Sequence, residues 1–422
     1  MATLSPILKQ ATPVVVDHAA GSWIHATDGK KYLDFTTGIG VTSTGHCHPD
    51  VVAAAREQVG KIVHAQYTTV MHKPLLELTE LLGKVLPQGL DSVFYATSGS
   101  EAVEASIRLA RMATGRPNII SFQGGFHGRT VAAASLTTAG TKFRSGFSPI
   151  MGGVHVAPFP HWYRYGWDEA TAVDFALKEL DHLLLTISAP GDTAGFIIEP
   201  VLGDGGYIPT PVAFLQGLRE RADKHGIVLV LDEVQAGVGR TGKFWGHDWA
   251  GITPDVVITA KGLASGFPIS AIAASAELMG KAWPGSQGGT YGGNAVAAAA
   301  GVATLGVIQR ENLVENAQLR GDELRTGLEA LQSEFAGIGN VRGRGLMQGV
   351  EFTTADETPD APTALAVQQA AIKEELLLLT CGPHGNVIRL IPALNVTSDE
   401  IQAGLARFTQ ALKAATSSPY DH

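Results

Sequence analysis

Short apolar runs, rich in β-branched and aromatic residues, recur through the first two-thirds of the chain and alternate with polar or helical stretches. Apolar runs of this length predict strands buried on both faces, and their alternation with helices is typical of a mainly parallel sheet. We therefore predict an α/β fold whose large domain holds a mixed, mainly parallel seven-stranded sheet. The predicted strands cover residues 92–97, 118–123, 154–158, 195–200, 227–231, 256–260 and 269–274.

The pattern changes on either side of these strands. Residues 22–41 predict short strands around a turn at Asp28-Gly29, and from about residue 312 amphipathic helices flank short strands, which predicts a smaller α+β domain. The predicted helices cover 49–60, 73–85, 312–334, 362–377 and 398–414, and the later strands lie near 345–352 and 386–390. The expected division is an N-terminal segment that packs with the small domain (1–58), a large domain (59–311) and the small domain (312–422).

Composition excludes several classes of protein. The chain has 422 residues, 45% of them hydrophobic and 17% charged, with a formal net charge of -9, so it is globular and has no basic surface for nucleic acid. No stretch is apolar enough to cross a bilayer, and the N-terminus lacks the apolar region of a signal peptide. The two cysteines, Cys47 and Cys381, fit a reducing compartment. We therefore expect a cytoplasmic protein with neither a membrane nor a nucleic-acid partner.

Chemically distinctive residues follow four of the predicted strands, at the edge where open α/β sheets bind ligands. After strand 92–97, Ser98 and Glu101 have the spacing of a capping box, and Gly99 and Ser100 begin a helix. The free N–H groups of a helix start favour an anion, and a glycine lets a ligand approach closely. This segment therefore predicts a phosphate site, with a plain helix cap as the alternative.

The second such segment is Phe126-His127-Gly128-Arg129, after strand 118–123. Phe126 could stack on a flat cofactor, and Arg129 could bind a carboxylate through two parallel hydrogen bonds. The alternative is a core phenylalanine followed by a surface arginine.

The third and fourth strand ends carry Asp232 and Lys261. An acid that directly follows a buried strand needs a charged partner, and a protonated pyridine nitrogen would be one; a buried ion pair or a metal ligand is the alternative. A lysine that enters a cleft from an apolar strand can lose its charge by desolvation and act as an imine nucleophile. The alternative for Lys261 is a lysine whose amine either reaches solvent or forms a salt bridge.

Two further motifs suggest other chemistry. Residues 237–242 match G-x-G-x-x-G, but no helix start follows, so we interpret the glycines as turn residues and do not expect a dinucleotide site. The triplet His46-Cys47-His48 lacks further ligands at suitable spacing, and Pro49 suggests a turn into a helix, so we expect no metal.

Taken together, these segments resemble the class III aminotransferases, the group of ornithine and 4-aminobutyrate aminotransferases. The resemblance runs from Leu33-Asp34-Phe35 near the start to Arg389-Leu390-Ile391-Pro392 near the end. Its most specific part is Asp232-Glu233-Val234-Gln235 with Gly239-Arg240-Thr241-Gly242, followed by Lys261-Gly262. Each motif is weak alone, but their order and spacing together are specific.

The resemblance implies a pyridoxal-phosphate-dependent transferase of fold type I, a homodimer with shared active sites that could pair into a tetramer. Lys261 would hold the cofactor as a Schiff base and carry protons, and Asp232 would pair with the pyridine nitrogen. Gln235 would contact the ring hydroxyl, and Thr290 would reach the phosphate bound by the neighbouring subunit. The remaining cofactor contacts would come from Ser98, Gly99, Ser100, Phe126 and His127.

The resemblance also implies how substrates bind. Arg129 would bind the carboxylate remote from the reacting amine, and Arg389 the α-carboxylate of glutamate or 2-oxoglutarate. Glu199 would pair with Arg389 when the substrate has no α-carboxylate. Ile39 lies where 4-aminobutyrate enzymes have an aliphatic residue, so we favour transamination from 4-aminobutyrate to 2-oxoglutarate. Acetylornithine, ornithine or other ω-amine aminotransferases remain alternatives, as do an aminomutase or racemase of the same fold and a catalytically inactive binding protein.

Overall fold

The computed structural model describes residues 3–416, and a seven-stranded sheet lies at its centre. All neighbouring strands run parallel except at Ser270–Ala274, which is antiparallel to the strand on each side. The predicted mixed, mainly parallel seven-stranded sheet is therefore confirmed. In order across the sheet, the strands are Ser92–Ala96, Ser270–Ala274, Val256–Thr259, Val228–Asp232, Thr193–Ile198, Asn118–Phe122 and Val154–Ala157.

Helices cover both faces of this sheet, which is why its strands are apolar along their whole length. One face packs against Gly99–Thr114, and the other against Glu169–Thr186 and Val212–His225. The other helices up to residue 311 are Pro49–Val59, Lys73–Gly83, Val131–Leu136, Trp162–Tyr165, Ala276–Gly280 and Ala295–Arg310, with a helix-like turn at Thr37–Gly40 and 3-10 turns at Thr141–Phe143, Gly246–Ala250 and Lys261–Ala264. Within residues 3–416, no helix combines the length and the apolar character needed to cross a membrane.

The C-terminal part forms a four-stranded antiparallel sheet packed with three long helices, as the prediction of a smaller α+β unit requires. Across this sheet the strands are Ile338–Arg344, Met347–Phe352, Val387–Leu390 and Leu379–Cys381. The helices are Leu313–Glu334, Ala361–Lys373 and Ser398–Thr416. Sequence reasoning missed the separate strands Ile338–Arg344 and Leu379–Cys381.

The N-terminal strands share a sheet with a short strand from the C-terminal part. Val16–Ala20, Trp23–Ala26 and Lys31–Asp34 are antiparallel neighbours, and the predicted turn at Asp28-Gly29 joins the last two. Leu376–Leu377 then pairs in parallel with Lys31–Asp34.

The prediction that one helix covers residues 362–377 was wrong at its end. The helix stops at Lys373, and Glu375 has a positive φ of 58° that breaks the helical path. Leucines suit a buried strand as well as a helix, so the vacant edge of the strand Lys31–Asp34 decides the outcome.

Candidate active site

A cleft of about 280 Å³ opens where the parallel strands of the central sheet end. Five of these strand ends and the loops that follow them supply most of its wall, in agreement with the rule that open α/β sheets bind ligands there. The predicted site residues that line it are Ser98, Gly99, Ser100, Phe126, His127, Glu199, Asp232, Gln235 and Lys261. The predicted residues that lie outside this wall are Ile39, Arg129, Thr290 and Arg389.

Lys261 follows the strand Val256–Thr259 and is partly buried. Its φ of 36° is unusual for a residue with a side chain, and such strained geometry persists only where the surroundings hold it. The next residue must be small, because a Cβ at Gly262 would collide with Ser43 Oγ. Burial lowers the pKa of the Lys261 amine, although the negative charge of Asp204 opposes that shift. A larger share of uncharged, nucleophilic amine is therefore available than in an exposed lysine.

Asp232 ends the strand Val228–Asp232 and is only 3% exposed. One carboxylate oxygen, Oδ2, lies 2.8 Å from His127 Nδ1, and Oδ1 accepts the N–H of Val234 at 3.1 Å. His127 is itself buried, and its Nε2 has no hydrogen-bond partner among residues 3–416. The pair therefore presents a fixed acidic group at the floor of the cleft.

The helix Gly99–Thr114 begins at the cleft and is capped as the sequence predicted. Ser98 Oγ accepts the N–H of Glu101 at 3.3 Å, and the Glu101 side chain accepts the N–H of Thr97 at 2.7 Å. The first-turn N–H groups of Gly99 and Ser100 have no acceptor within a helix, and they carry the positive end of its dipole. Small residues are needed here, because a Cβ at Gly99 would lie 3.2 Å from Val234. This end of the cleft suits a bound phosphate.

Glu199 lies just beyond the strand Thr193–Ile198 and is 5% exposed. Its Oε1 accepts the N–H of Phe126 at 2.8 Å, and its Oε2 accepts the N–H of Gly203 at 3.0 Å. Burial, together with the charge of Asp232, raises the pKa of Glu199 well above its usual value. The two carboxylate oxygens of Glu199 thus fix the backbone of two loops, at Phe126 of the cleft wall and at Gly203.

Arg389 belongs to the strand Val387–Leu390, and its ion pair is not with Glu199. Its Nη1 lies 3.3 Å from Asp204 Oδ1, and the fully buried Tyr207 lies beside the same guanidinium. In this structure the Glu199 oxygens accept backbone N–H groups, and the pairing of Glu199 with Arg389 that is expected for a substrate without an α-carboxylate stays a prediction. Sequence reasoning missed Asp204, although an acid between the glycines Gly203 and Gly205 is the signal that would have found it.

A second basic group lies outside the cleft wall around Phe143. The ring of Phe143 meets the ring of Phe126 edge to face, with centroids 5.0 Å apart. The Arg129 guanidinium lies 4.9 Å and Lys142 Nζ lies 5.0 Å from the centroid of Phe143. Arg129 and Lys142 are both exposed, and neither has an ion pair within residues 3–416. Two unpaired cations on one ring create a positive edge that suits a carboxylate.

The two remaining predicted residues are exposed. Ile39 is 43% exposed and lies in a turn of positive φ, next to Gly40, whose Cα region contacts Gln235 and Ile391. Thr290 is exposed in the segment before Ala295–Arg310, away from the wall of its own cleft.

Comparison with known proteins identifies the family. A family model described as aminotransferase class III matches residues 6–412. The 5-aminovalerate aminotransferase DavT of Pseudomonas putida is 38% identical over 399 residues, which cover 94% of this chain and 93% of the relative. The 4-aminobutyrate aminotransferase GabT of Escherichia coli is 37% identical, over 96% of this chain and 95% of the relative.

The chain is a class III aminotransferase. A solved (S)-enantioselective ω-transaminase from Thermomicrobium roseum matches it with a TM-score of 0.92 and 29% identity, over 99% of this chain and 97% of the other. The PLP-bound structure of an amine transaminase from an uncultivated Pseudomonas species matches with a TM-score of 0.90 and 28% identity, over 98% of each chain.

Pyridoxal phosphate is the cofactor of class III aminotransferases, and the residues of this cleft fit it. An amine with a lowered pKa, a buried carboxylate and an anion-binding helix start all face one cavity. In addition, the cleft residue Gln235 has a buried Oε1 with no hydrogen-bond partner among the described residues, so a polar group of a ligand would satisfy it.

The two other motifs of the sequence have structural roles in this aminotransferase. The glycines of 237–242 form a turn in which Gly239 and Gly242 have positive φ, and a 3-10 turn, not a phosphate-binding helix, follows at Gly246–Ala250. His46 pairs with Asp34, and Cys47 is exposed. Within residues 3–416, no group of three or more His, Cys, Asp or Glu side chains could hold a metal ion.

Proposed function

We propose that this aminotransferase moves the amino group of an ω-amino acid, most favourably 4-aminobutyrate, to 2-oxoglutarate and so forms succinate semialdehyde and glutamate. The observation that carries the proposal is the buried Arg389 with an acid of its own, Asp204, at 3.3 Å. A substrate without an α-carboxylate leaves this pair intact, whereas glutamate or 2-oxoglutarate offers a carboxylate that can replace Asp204. One site can therefore accept both kinds of substrate without leaving a buried arginine unpaired.

The roles of the cleft residues follow from their positions. When bound, pyridoxal phosphate supplies an aldehyde and an electron-withdrawing ring. Lys261 Nζ would hold the aldehyde, and the same amine would carry the proton that leaves the substrate carbon. Asp232 would keep the pyridine nitrogen protonated, with its carboxylate oriented by His127. Gln235 would contact the ring hydroxyl.

The remaining contacts hold the cofactor in place. The N–H groups of Gly99 and Ser100 and the Ser98 hydroxyl would bind the phosphate, as helix starts do with anions. Phe126 covers the ring face, because Glu199 fixes its backbone and Phe143 packs against its side chain.

The carboxylate remote from the amine binds at the second basic group. Arg129 and Lys142 lie 4.9 and 5.0 Å from the ring centroid of Phe143 and have no acid of their own within the described residues. A carboxylate between them would form charge-assisted hydrogen bonds. Ile39, two residues before Val41 of the cleft wall, is assigned to the aliphatic part of the substrate.

A homodimer with shared active sites is part of the same proposal. Segments 62–71 and 289–294 contact each other, for example where Gln66 Nε2 donates to Gly289 O at 3.3 Å. They expose apolar side chains, which soluble monomers rarely cluster: Val63 55%, Val70 59%, Met71 53% and Tyr291 62%. Thr290 lies in this patch, where it would reach the phosphate of a second copy. Sedimentation analysis should give a dimer or a pair of dimers, and a monomer that is fully active would refute shared sites.

A donor panel tests the reaction. Activity with 4-aminobutyrate, 5-aminovalerate, N-acetylornithine and ornithine is compared as kcat/KM, with 2-oxoglutarate as the acceptor. We expect 4-aminobutyrate to rank first, with 5-aminovalerate as the second candidate because the relatives of 38% and 37% identity carry these two activities. A different first-ranked donor refutes the assignment, and turnover of an amine without any keto acid would indicate an aminomutase or racemase.

A further inference from the structure

The turn that carries Ile39 has a backbone conformation that its side chains disfavour. Four successive residues have positive φ, namely Thr37 at 46°, Gly38 at 62°, Ile39 at 72° and Gly40 at 71°. Two of the four are β-branched, and such residues are genuine outliers in this region of conformational space. Strain of this kind persists only where the surrounding structure fixes it, and it concentrates at ligand-binding sites.

Asp34 is the group that fixes the turn. It is 1% exposed, and its Oδ1 accepts the N–H and the hydroxyl of Thr36 at 2.8 and 2.6 Å and the N–H of Thr37 at 3.1 Å. Its other oxygen, Oδ2, lies 2.8 Å from His46 Nε2. The position of His46 is itself fixed, because its backbone exchanges hydrogen bonds with that of Gly21 at 2.8 and 2.9 Å. Oδ1 of Asp34 therefore holds the start of the turn, while Oδ2 fixes the carboxylate through His46.

The turn joins the cleft wall to the segment that carries Arg389. The Thr37 hydroxyl donates to the carbonyl of Ile391 at 2.8 Å, two residues beyond Arg389. A Cβ at Gly40 would lie 2.6 Å from Ile391 Cδ1 and 3.6 Å from Gln235 Cγ, so the backbone at Gly40 packs too closely against the Ile391 side chain to carry a side chain of its own. Val41, the next residue, lines the cleft itself.

We propose that Asp34 and His46 are positioning residues that set substrate length. They hold the strained turn in one conformation, and the hydrogen bond from the Thr37 hydroxyl to Ile391 anchors it, so Ile39 and the cleft residue Val41 keep a fixed position relative to the cleft. This inference rests on the proposed function, because it assigns the selection of donor length to the same site. A loosened turn would still bind cofactor and still transfer protons, but it would no longer discriminate between donors that differ by one methylene.

Paired variants test the proposal. Thr37→Val removes the hydroxyl and keeps the β-branched shape, whereas Thr37→Ser keeps the hydroxyl. In the second pair, His46→Phe removes the ring nitrogens, whereas His46→Gln keeps a polar group of similar reach. We expect Thr37→Val and His46→Phe to raise the donor KM about fivefold to tenfold, as the loss of one buried hydrogen bond would. The kcat/KM ratio of 4-aminobutyrate to 5-aminovalerate should fall towards one, while kcat and the cofactor absorbance stay unchanged. Thr37→Ser and His46→Gln should behave like the parent.

A third variant separates positioning from folding. Glycine adopts a φ of 72° without strain, so Ile39→Gly should keep or raise the thermal midpoint and still lose length discrimination. If the kcat/KM ratio of 4-aminobutyrate to 5-aminovalerate is unchanged in Thr37→Val and Ile39→Gly, the proposal is wrong. It is also wrong if the cofactor absorbance falls in proportion to the rise in KM, because the residues would then have only a structural role. If the parent uses neither donor, the proposed function fails, and the same ratio is measured with the best donor of the panel and its homologue longer by one methylene.

Discussion

The part of the site assigned to the cofactor and the part assigned to the substrate differ in how the chain builds them. In the cofactor part, Asp232 and Lys261 lie at the ends of neighbouring parallel strands of one sheet, so strand ends alone bring them together. In the substrate part, outside the cleft wall, Asp204 comes from a loop, Arg389 from the small C-terminal sheet and Ile39 from the N-terminal part. The first arrangement fixes chemistry common to a whole family, and the second leaves recognition to loops that can vary separately.

Removal of the Lys261 amine should have the largest effect on activity, because the amine is the group proposed to bond to the cofactor and to transfer the proton. We expect Lys261→Ala to lose transamination by at least about a thousandfold, since proton transfer by a placed group alone contributes about 10²–10⁴-fold. Initial rates with 4-aminobutyrate and 2-oxoglutarate measure this. Lys243→Ala, at an exposed lysine, is the matched control and should retain full activity; comparable activity in both variants would contradict the role of Lys261.

Removal of the Asp232 charge should come next. Asp232→Asn keeps the shape and the Val234 contact but cannot hold the ring proton, so we expect a loss of about 10²-fold in kcat, the scale of one electrostatic group in a catalytic site. His127→Asn should cost less, because His127 acts through Asp232. The cofactor spectrum and kcat of both variants check the order, and a greater loss in His127→Asn would show that the histidine acts directly.

Substitution of the acids assigned to substrate binding should change the KM of particular substrates and not abolish activity. Asp204→Asn leaves Arg389 without its anion, so we expect the KM for 4-aminobutyrate to rise about tenfold while the KM for glutamate changes little, as expected when one partner of a largely buried pair is removed. Glu199→Gln should affect both substrates alike, because Glu199 holds backbone N–H groups. A selective loss for 4-aminobutyrate in Glu199→Gln, with none in Asp204→Asn, would show that Glu199 is the acid that pairs with Arg389 when 4-aminobutyrate is bound.

The smallest effect should come from the exposed rim. Lys142→Met removes one of two cations on Phe143, and we expect the KM for carboxylate substrates to rise about threefold, since exposed charges interact weakly. The rise should shrink in high salt, which screens exposed charges. Lys224→Met, another exposed lysine, should have no effect, and a salt-independent change in Lys142→Met would argue for a packing role.

Much of the fold and of the cofactor end follows from the chain alone, because burial on both faces gives continuous apolar runs and the carboxyl ends of parallel strands meet. The segment from 362 to 377 was harder, since only the free edge beside Lys31–Asp34 turns its last leucines into a strand. The choice between Glu199 and Asp204 depends on which carboxylate reaches Arg389, and only four residues separate the two acids in the chain. Long-range pairing of this kind leaves no periodic pattern in the sequence.

The position of the covalent bond tests the central claim most directly. The protein is incubated with pyridoxal phosphate, reduced with borohydride, digested and analysed by peptide mass spectrometry, with a second sample given 4-aminobutyrate before reduction. Our account predicts a phosphopyridoxyl group on the peptide containing Lys261 and its loss when the donor is added first. Labelling of a different lysine, or labelling that the donor leaves unchanged, would contradict it.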